Sequence, residues 1–156
     1  MRACALFYII GIILLFSPAI GLSHSGSDSE KNLQKFGFDD IISIHGPWDF
    51  HWNKLIYHGE LLNQQDTLEK IEVQLPSYWS DYTINGLTLP GLGFGTFTKT
   101  IVLSSDKKGP IGVLIPAIDV AYRFYINGQL MASVGTVGTT EKDEVPGYMN
   151  SLVEYW

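Results

Sequence analysis

The chain has 156 residues, 46% hydrophobic and 13% aromatic, which supplies a core for one domain and not comfortably for two. Ten Lys and Arg against sixteen Asp and Glu give a formal net charge of −6, an acidic balance that argues against nucleic acid, whose phosphates attract Lys and Arg. The one cysteine, Cys4, lies in the amino-terminal apolar run, so the rest of the chain has no disulfide, no thiolate nucleophile and no Cys metal site.

Residues 1–21 read as a secretory signal peptide. Arg2 is the short positive region, Ala3 to Phe16 is almost unbroken apolar sequence, Pro18 breaks it, and Ala19-Ile20-Gly21 offers small residues to a signal peptidase. The run falls short of the roughly 20 apolar residues that a spanning helix needs, unless it is extended past the proline. The expected location is periplasmic or otherwise extracytoplasmic; left uncleaved, the segment would hold the chain at a membrane. Cys4 lies at the start of the apolar run, whereas a lipoprotein cysteine follows it. Residues 22–35 are rich in Ser, Gly, Asp and Lys and lack aromatics, which predicts a flexible leader.

From Phe36 the pattern becomes that of strands. Trp48, Phe50 and Trp52 alternate with Asp49 and His51, a period of two with one aromatic face inward. On this register Asp49 and His51 face solvent. Leu61 to Glu69 is polar and predicts a loop or one short helix. Ile71, Val73 and Leu75 mark a second strand that ends at Pro76. Asn85-Gly86 and Pro90-Gly91 mark turns. Phe97, Ile101 and Leu103 mark a third strand, with Lys99 on its apolar register and therefore expected near a sheet edge. Ile111 to Ile115 reads as a short buried run ended by Pro116. Ala121 to Ile126, the pair Asn127-Gly128 and Gln129 to Val134 form the clearest local signal, a hairpin whose two turn residues both need positive φ. Short strands with turns between them and no long amphipathic helix predict an all-β sandwich or barrel.

Four ordered stretches carry a resemblance. They are Gly46–Leu55 (GPWDFHWNKL), Leu75–Trp79 (LPSYW), Leu89–Phe97 (LPGLGFGTF) and Ile115–Gly138 (IPAIDVAYRFYINGQLMASVGTVG). Together they resemble the extracytoplasmic domain of bacterial seven-transmembrane receptors with diverse intracellular signalling modules. The resemblance implies a galactose-binding-like jelly-roll β-sandwich over 36–156, similar to the sugar-binding domain of family 2 glycoside hydrolases. It implies a non-catalytic sensory role for a carbohydrate or related small molecule, coupled to a membrane-embedded partner or to a downstream kinase, cyclase or phosphatase region. The alternative is the accessory sandwich of a family 2 glycoside hydrolase. The chain departs from the family at Thr98, where a basic residue is usual. It also stops at Trp156, before a further strand and the membrane helices, so the resemblance implies a sandwich truncated at its C-terminal end.

No motif predicts catalysis. Gly91-Leu92-Gly93-Phe94-Gly95 leads into a strand pattern, not into the helix whose amides would meet a phosphate, so it reads as a turn or tight backbone packing. Gly21 to Gly26 lacks the spacing and the strand–turn–helix context of a nucleophile elbow. His24, His45, His51 and His58 have no metal-ligand spacing. Asp39-Asp40 and Asp143-Glu144 are adjacent pairs, and adjacent strand residues point to opposite faces. No cofactor is expected; a structural calcium ion suits such folds, and nothing in the sequence locates one. Trp79, Tyr82 and Tyr148 lie in turn-rich stretches outside strand alternation. They are the candidate ligand-binding residues, since aromatic faces outside a core stack on sugar rings.

Overall fold

The computed structural model describes residues 12–18, 31–32, 43–57, 68–103 and 109–156, with 12–18, 31–32 and 102–103 as backbone alone. Its strands in chain order are β1 (Ile12–Pro18), β2 (Lys31–Asn32), β3 (Gly46–Trp52), β4 (Ile71–Leu75), β5 (Thr83–Ile84), β6 (Leu87–Thr88), β7 (Gly95–Leu103), β8 (Ile111–Ile115), β9 (Tyr122–Ile126), β10 (Gln129–Val134) and β11 (Ser151–Tyr155). A single 3-10 turn, Trp79–Asp81, is the one helical piece among the described residues. The fold class is all-β, as the sequence pattern predicts. No helix among the described residues is long and apolar enough to cross a membrane.

The main sheet has the order β10-β9-β1-β7-β3-β4, with β2 alongside β7. The β3–β4, β3–β7 and β9–β10 pairs are antiparallel. Strand β1 is parallel to both β7 and β9, so those two run the same way. A second layer, the antiparallel pair β8–β11, contributes Val113, Ile115, Val153 and Tyr155 to the same core. The predicted leader is crossed by β2, which pairs Lys31 and Asn32 with Ile101 and Val102, beyond the Thr98 at which β3 stops pairing. The predicted signal segment contains β1. Most of the predicted loop or helix at Leu61 to Glu69 lies outside the described residues.

The aromatic alternation on β3 does what its period requires. Trp48 and Phe50 are buried and Trp52 is half-buried. Phe50 sits directly opposite Phe97 on β7, and the two rings stack with centroids 4.4 Å apart. The same Phe50 ring meets Tyr82 edge-on at 5.7 Å and lies parallel to Trp79 at 6.4 Å. Gly95 lies against that ring: a Cβ there would come 2.5 Å from Phe50 Cε2 and 3.0 Å from the His51 carbonyl.

The predicted hairpin forms, and the predicted Asn85-Gly86 turn closes a second, shorter one. Asn127 (φ 47°) and Gly128 (φ 83°) turn β9 into β10, and Asn85 (φ 52°) with Gly86 (φ 80°) turns β5 into β6. The β9–β10 register shifts between Leu130 and Ala132, a bulge that period-two reading does not reveal. Strand β8 is not a buried run. Its residues alternate, and Leu114 stands exposed opposite an equally exposed Leu152 on β11.

Two polar residues correct the sequence expectation. His51 is 2% exposed, not solvent-facing. The outer side of β3 and β7 is covered by residues 54–57 and 68–69: Thr96 Oγ1 donates to the Lys54 carbonyl at 2.7 Å and accepts from the Ile56 N–H at 3.1 Å, while His51 Nδ1 donates to the Glu69 carbonyl at 3.1 Å. Asp49 on the same side pairs with Lys70 at 2.8 Å. Lys99 is 3% exposed and sits in the sheet interior, not at an edge, because β1 and β3 flank β7. Its ammonium donates to the Pro47 carbonyl and lies 5.8 Å from the Trp48 ring centroid, so a carbonyl and an aromatic face replace part of the lost water. Thr98 is buried opposite Asp49.

Burial holds the His51 pKa below its ordinary 6.5, with the Glu69 carbonyl and the Asp49 carboxylate opposing the shift. The folded chain therefore resists a proton that the unfolded chain accepts. Stability is complete above pH 6.5 and falls as pH drops from there toward the lowered folded value. Thermal melts between pH 7.5 and 5 should show a loss of stability on acidification that His51→Gln reduces; parallel slopes for the two proteins would contradict it. Gly95→Ala should destabilise the fold by about 1–3 kcal/mol in urea unfolding, since the added methyl overpacks Phe50 and backbone.

Candidate functional site

Strand directions place four connections at one end of the main sheet: β3 to β4, the one leading into β7, the one leading into β9 and the one leaving β10. Strand β3 ends where the antiparallel β7 begins, and this brings the Asn53 N–H to the Phe94 carbonyl at 2.9 Å. Strand β9 begins at that same end, because β1 runs parallel to both β7 and β9. Strand β10, antiparallel to β9, finishes there, and β4, antiparallel to β3, starts there. The β3–β4 connection (described at 53–57 and 68–70) and the loops at 89–94, 116–121 and 135–147 are thus gathered by topology, though they are spread along the chain.

An open cleft of about 210 Å³ lies at this end. Leu92, Gly93 and Phe94 form one wall, and Gly138, Thr139, Thr140 and Glu141 form the other. The first wall is held from below by Trp52. A Cβ on Gly93 would run into the Trp52 ring, so glycine is what lets the loop lie flat on the indole. The Trp79 indole Nε1 donates to the Gly91 carbonyl at 3.2 Å and fixes the start of the same loop. The tight packing read from Gly91 to Gly95 is therefore present at Gly93 and Gly95, each against an aromatic ring.

The second wall is a closed excursion. Thr136 and Val145 exchange backbone hydrogen bonds of 2.8 and 2.9 Å, which pinch residues 137–144 into a loop. The Asp143 N–H reaches the Thr140 carbonyl at 3.1 Å, and Thr140 Oγ1 donates to Asp143 Oδ2 at 2.6 Å, so the tip is a hydrogen-bonded turn. Gly138 lies against the chain at Asp143 and Glu144, with no room for a Cβ. Glu144 is itself buried, and its Oε1 has no hydrogen-bond partner among the described residues. A buried acceptor left unpaired costs about 1–3 kcal/mol.

The predicted ligand-binding aromatics separate into three environments. Trp79 is 2% exposed; Phe50 lies parallel to it and Trp52 packs edge-on at 5.6 Å, so its ring is core and offers no face to a ligand. Tyr82 is half-buried, with its hydroxyl on Ser77 Oγ and its ring against Phe50; burial, chiefly, raises its pKa above 10.0. Tyr148 is 71% exposed, between the Val145 bridge and β11. The sequence did not bring the two cleft walls together, because their convergence depends on strand direction. The Pro90-Gly91 turn and the glycines after it are the one local signal that points there.

No group of three His, Cys, Asp or Glu among the described residues is placed to hold a metal ion. His45 and His51 lie on or beside β3, while His24 and His58 lie outside the described residues. Comparison with known proteins gives no match to a family model, to a curated protein or to a solved structure.

Gly93→Ala should displace Trp52 from beneath the cleft. The expected result is a shifted Trp emission maximum together with a loss of about 1–3 kcal/mol in unfolding free energy. An unchanged emission spectrum would show that the loop does not rest on that ring.

Proposed function

We propose that the chain is a non-catalytic, extracytoplasmic binding domain of the sensory type, taking a carbohydrate or a related small polar ring in the cleft between residues 92–94 and 138–141. The composition of the cleft carries this reading. Apolar side chains of Leu92 and Phe94 stand with the hydroxyls of Thr139 and Thr140 and the carboxylate of Glu141. A sugar has the matching make-up, an apolar C–H face with hydroxyls around its edge, and sites of this kind combine apolar walls with a few placed polar groups. The volume is below the about 300–1,000 Å³ of pockets for drug-sized ligands, so the expected occupant is one ring or the end of a chain.

The resemblance of residues 46–138 to the jelly-roll domains of seven-transmembrane sensors supports the same reading, as does the all-β fold with its loops collected at one sheet end. The fold sets no chemistry by itself. Export, the jelly-roll strand order and coupling to a membrane-embedded partner or a downstream output region belong to this proposal. Coupling would work by population shift: a ligand that bridges the two walls favours the arrangement in which they are closest. Exposed Tyr148 is a second ring open to stacking, on the segment that leads into β11.

Titration with a panel of glycans, followed by Trp fluorescence, tests the proposal, because Trp52 lies directly beneath the Gly93 wall. A saturable change with at least one sugar is expected. Glu141→Ala should weaken that binding by roughly 10–100-fold, the worth of a hydrogen bond to a charged group. No response to any sugar from a folded protein would retire the carbohydrate reading.

A further inference from the structure

The main sheet contains one strand that comes from the amino-terminal apolar run and runs parallel to both of its neighbours, β7 and β9. Removing β1 from the order β10-β9-β1-β7-β3-β4 leaves two separate pieces, β10–β9 and β7–β3–β4. Strands within a sheet lie about 4.8 Å apart, so β7 and β9 stand about 10 Å apart with room for one strand. Both neighbours run the same way, so a single strand can pair with both at once in one consistent orientation. Strand β1 does so along seven residues of β7, from Ile12 opposite Phe97 to Pro18 opposite Leu103, and along Phe124, Tyr125 and Ile126 of β9.

The surroundings make an empty gap costly. Phe97, Ile101, Phe124 and Ile126, on the two strands that border it, are all buried. Their backbone N–H and C=O groups on the gap side would have no partner and little water, and each unpaired buried group costs about 1–3 kcal/mol. The composition of β1 suits an interior position. Ile-Ile-Leu-Leu-Phe is apolar at consecutive positions, as strands covered on both faces are, and not alternating like an amphipathic strand. Pro18, which cannot donate to a ladder, comes at its end.

We propose that the gap between β7 and β9 is a strand-acceptor slot, and that residues 12–18 of the same chain are its donor strand. The segment that reads as the core of an export signal is thereby also a structural strand. The two uses exclude each other in one molecule, since removal of residues 1–21 opens the slot. The recognition is main-chain pairing on both edges of an added apolar strand, the mode known as β-augmentation. This proposal stands independently of the ligand cleft, which uses neither β1 nor its pairing.

The full chain tests it. A protease recognition sequence is placed at residues 25–29, the chain is folded, and only then cut. The expected result is that the amino-terminal fragment co-elutes with the remainder at monomer size, and that the amides of 97–103 and 124–126 keep their slow hydrogen exchange. Leu14→Pro, which removes a donor from the middle of β1, should raise exchange at those amides at least tenfold in the uncut chain. A fragment that elutes alone while those amides stay protected would overturn the proposal, as would fast exchange there before cutting. Co-elution at dimer size would also overturn it, by assigning the slot to a second copy of the chain.

Discussion

The aromatic cluster of the core is arranged around the ring of Phe50. It is paired across the sheet with Phe97, lies parallel to Trp79 and is met edge-on by Tyr82. These four rings come from β3, from β7 and from the segment that crosses between β4 and β7, so one ring ties three pieces of chain together. Edge-on and offset stacks of this kind add about 0.5–1.5 kcal/mol per pair beyond the area they bury. Gly95 is the condition on which the arrangement rests, because any side chain there would occupy the place of the Phe50 ring.

The cleft is a consequence of the same cluster. Trp52, two residues beyond Phe50 on the same side of β3, supports Gly93, and Trp79 ties the Gly91 carbonyl. Core aromatics thus hold the wall from behind without lining the cleft. Two tryptophans shape the cleft in this way: their polar and edge atoms fix the loop backbone, and the loop's own Leu92 and Phe94 line the space. The opposite wall is held by different means, a backbone bridge and a side-chain-capped turn.

Both sides of β7 are buried, which separates this sheet from a simple half-exposed one. The inner side has the aromatic core, and the outer side is covered by residues 54–57 through hydrogen bonds to Thr96. Burial on both sides explains why a histidine and a lysine that look peripheral in sequence are enclosed. Each keeps a carbonyl partner, Glu69 for His51 and Pro47 for Lys99. Buried polar groups are tolerated when they are hydrogen-bonded, and costly otherwise.

Local sequence was sufficient for the features that local physics controls. The alternation Trp48, Phe50, Trp52 defined β3 and its inward side, the Asn127-Gly128 pair defined a hairpin and the Asn85-Gly86 pair a turn through their need for positive φ, and the glycines from Gly91 to Gly95 marked a turn or tight packing. Tertiary structure decided whatever depends on what lies across the sheet or over it. His51 alternates correctly for a solvent-facing residue, yet residues from a distant loop cover it. Lys99 follows the apolar register, yet two flanking strands put it in the interior. Trp79 lies in turn-like sequence, yet the core closes around it. The apolar run at 12–18 has the composition of a signal segment and of a strand covered on both faces alike, and its pairing with both β7 and β9 is seen only in the tertiary structure. Period and turn chemistry are properties of neighbouring residues, whereas burial and convergence are set by strand order, which no short stretch of sequence contains.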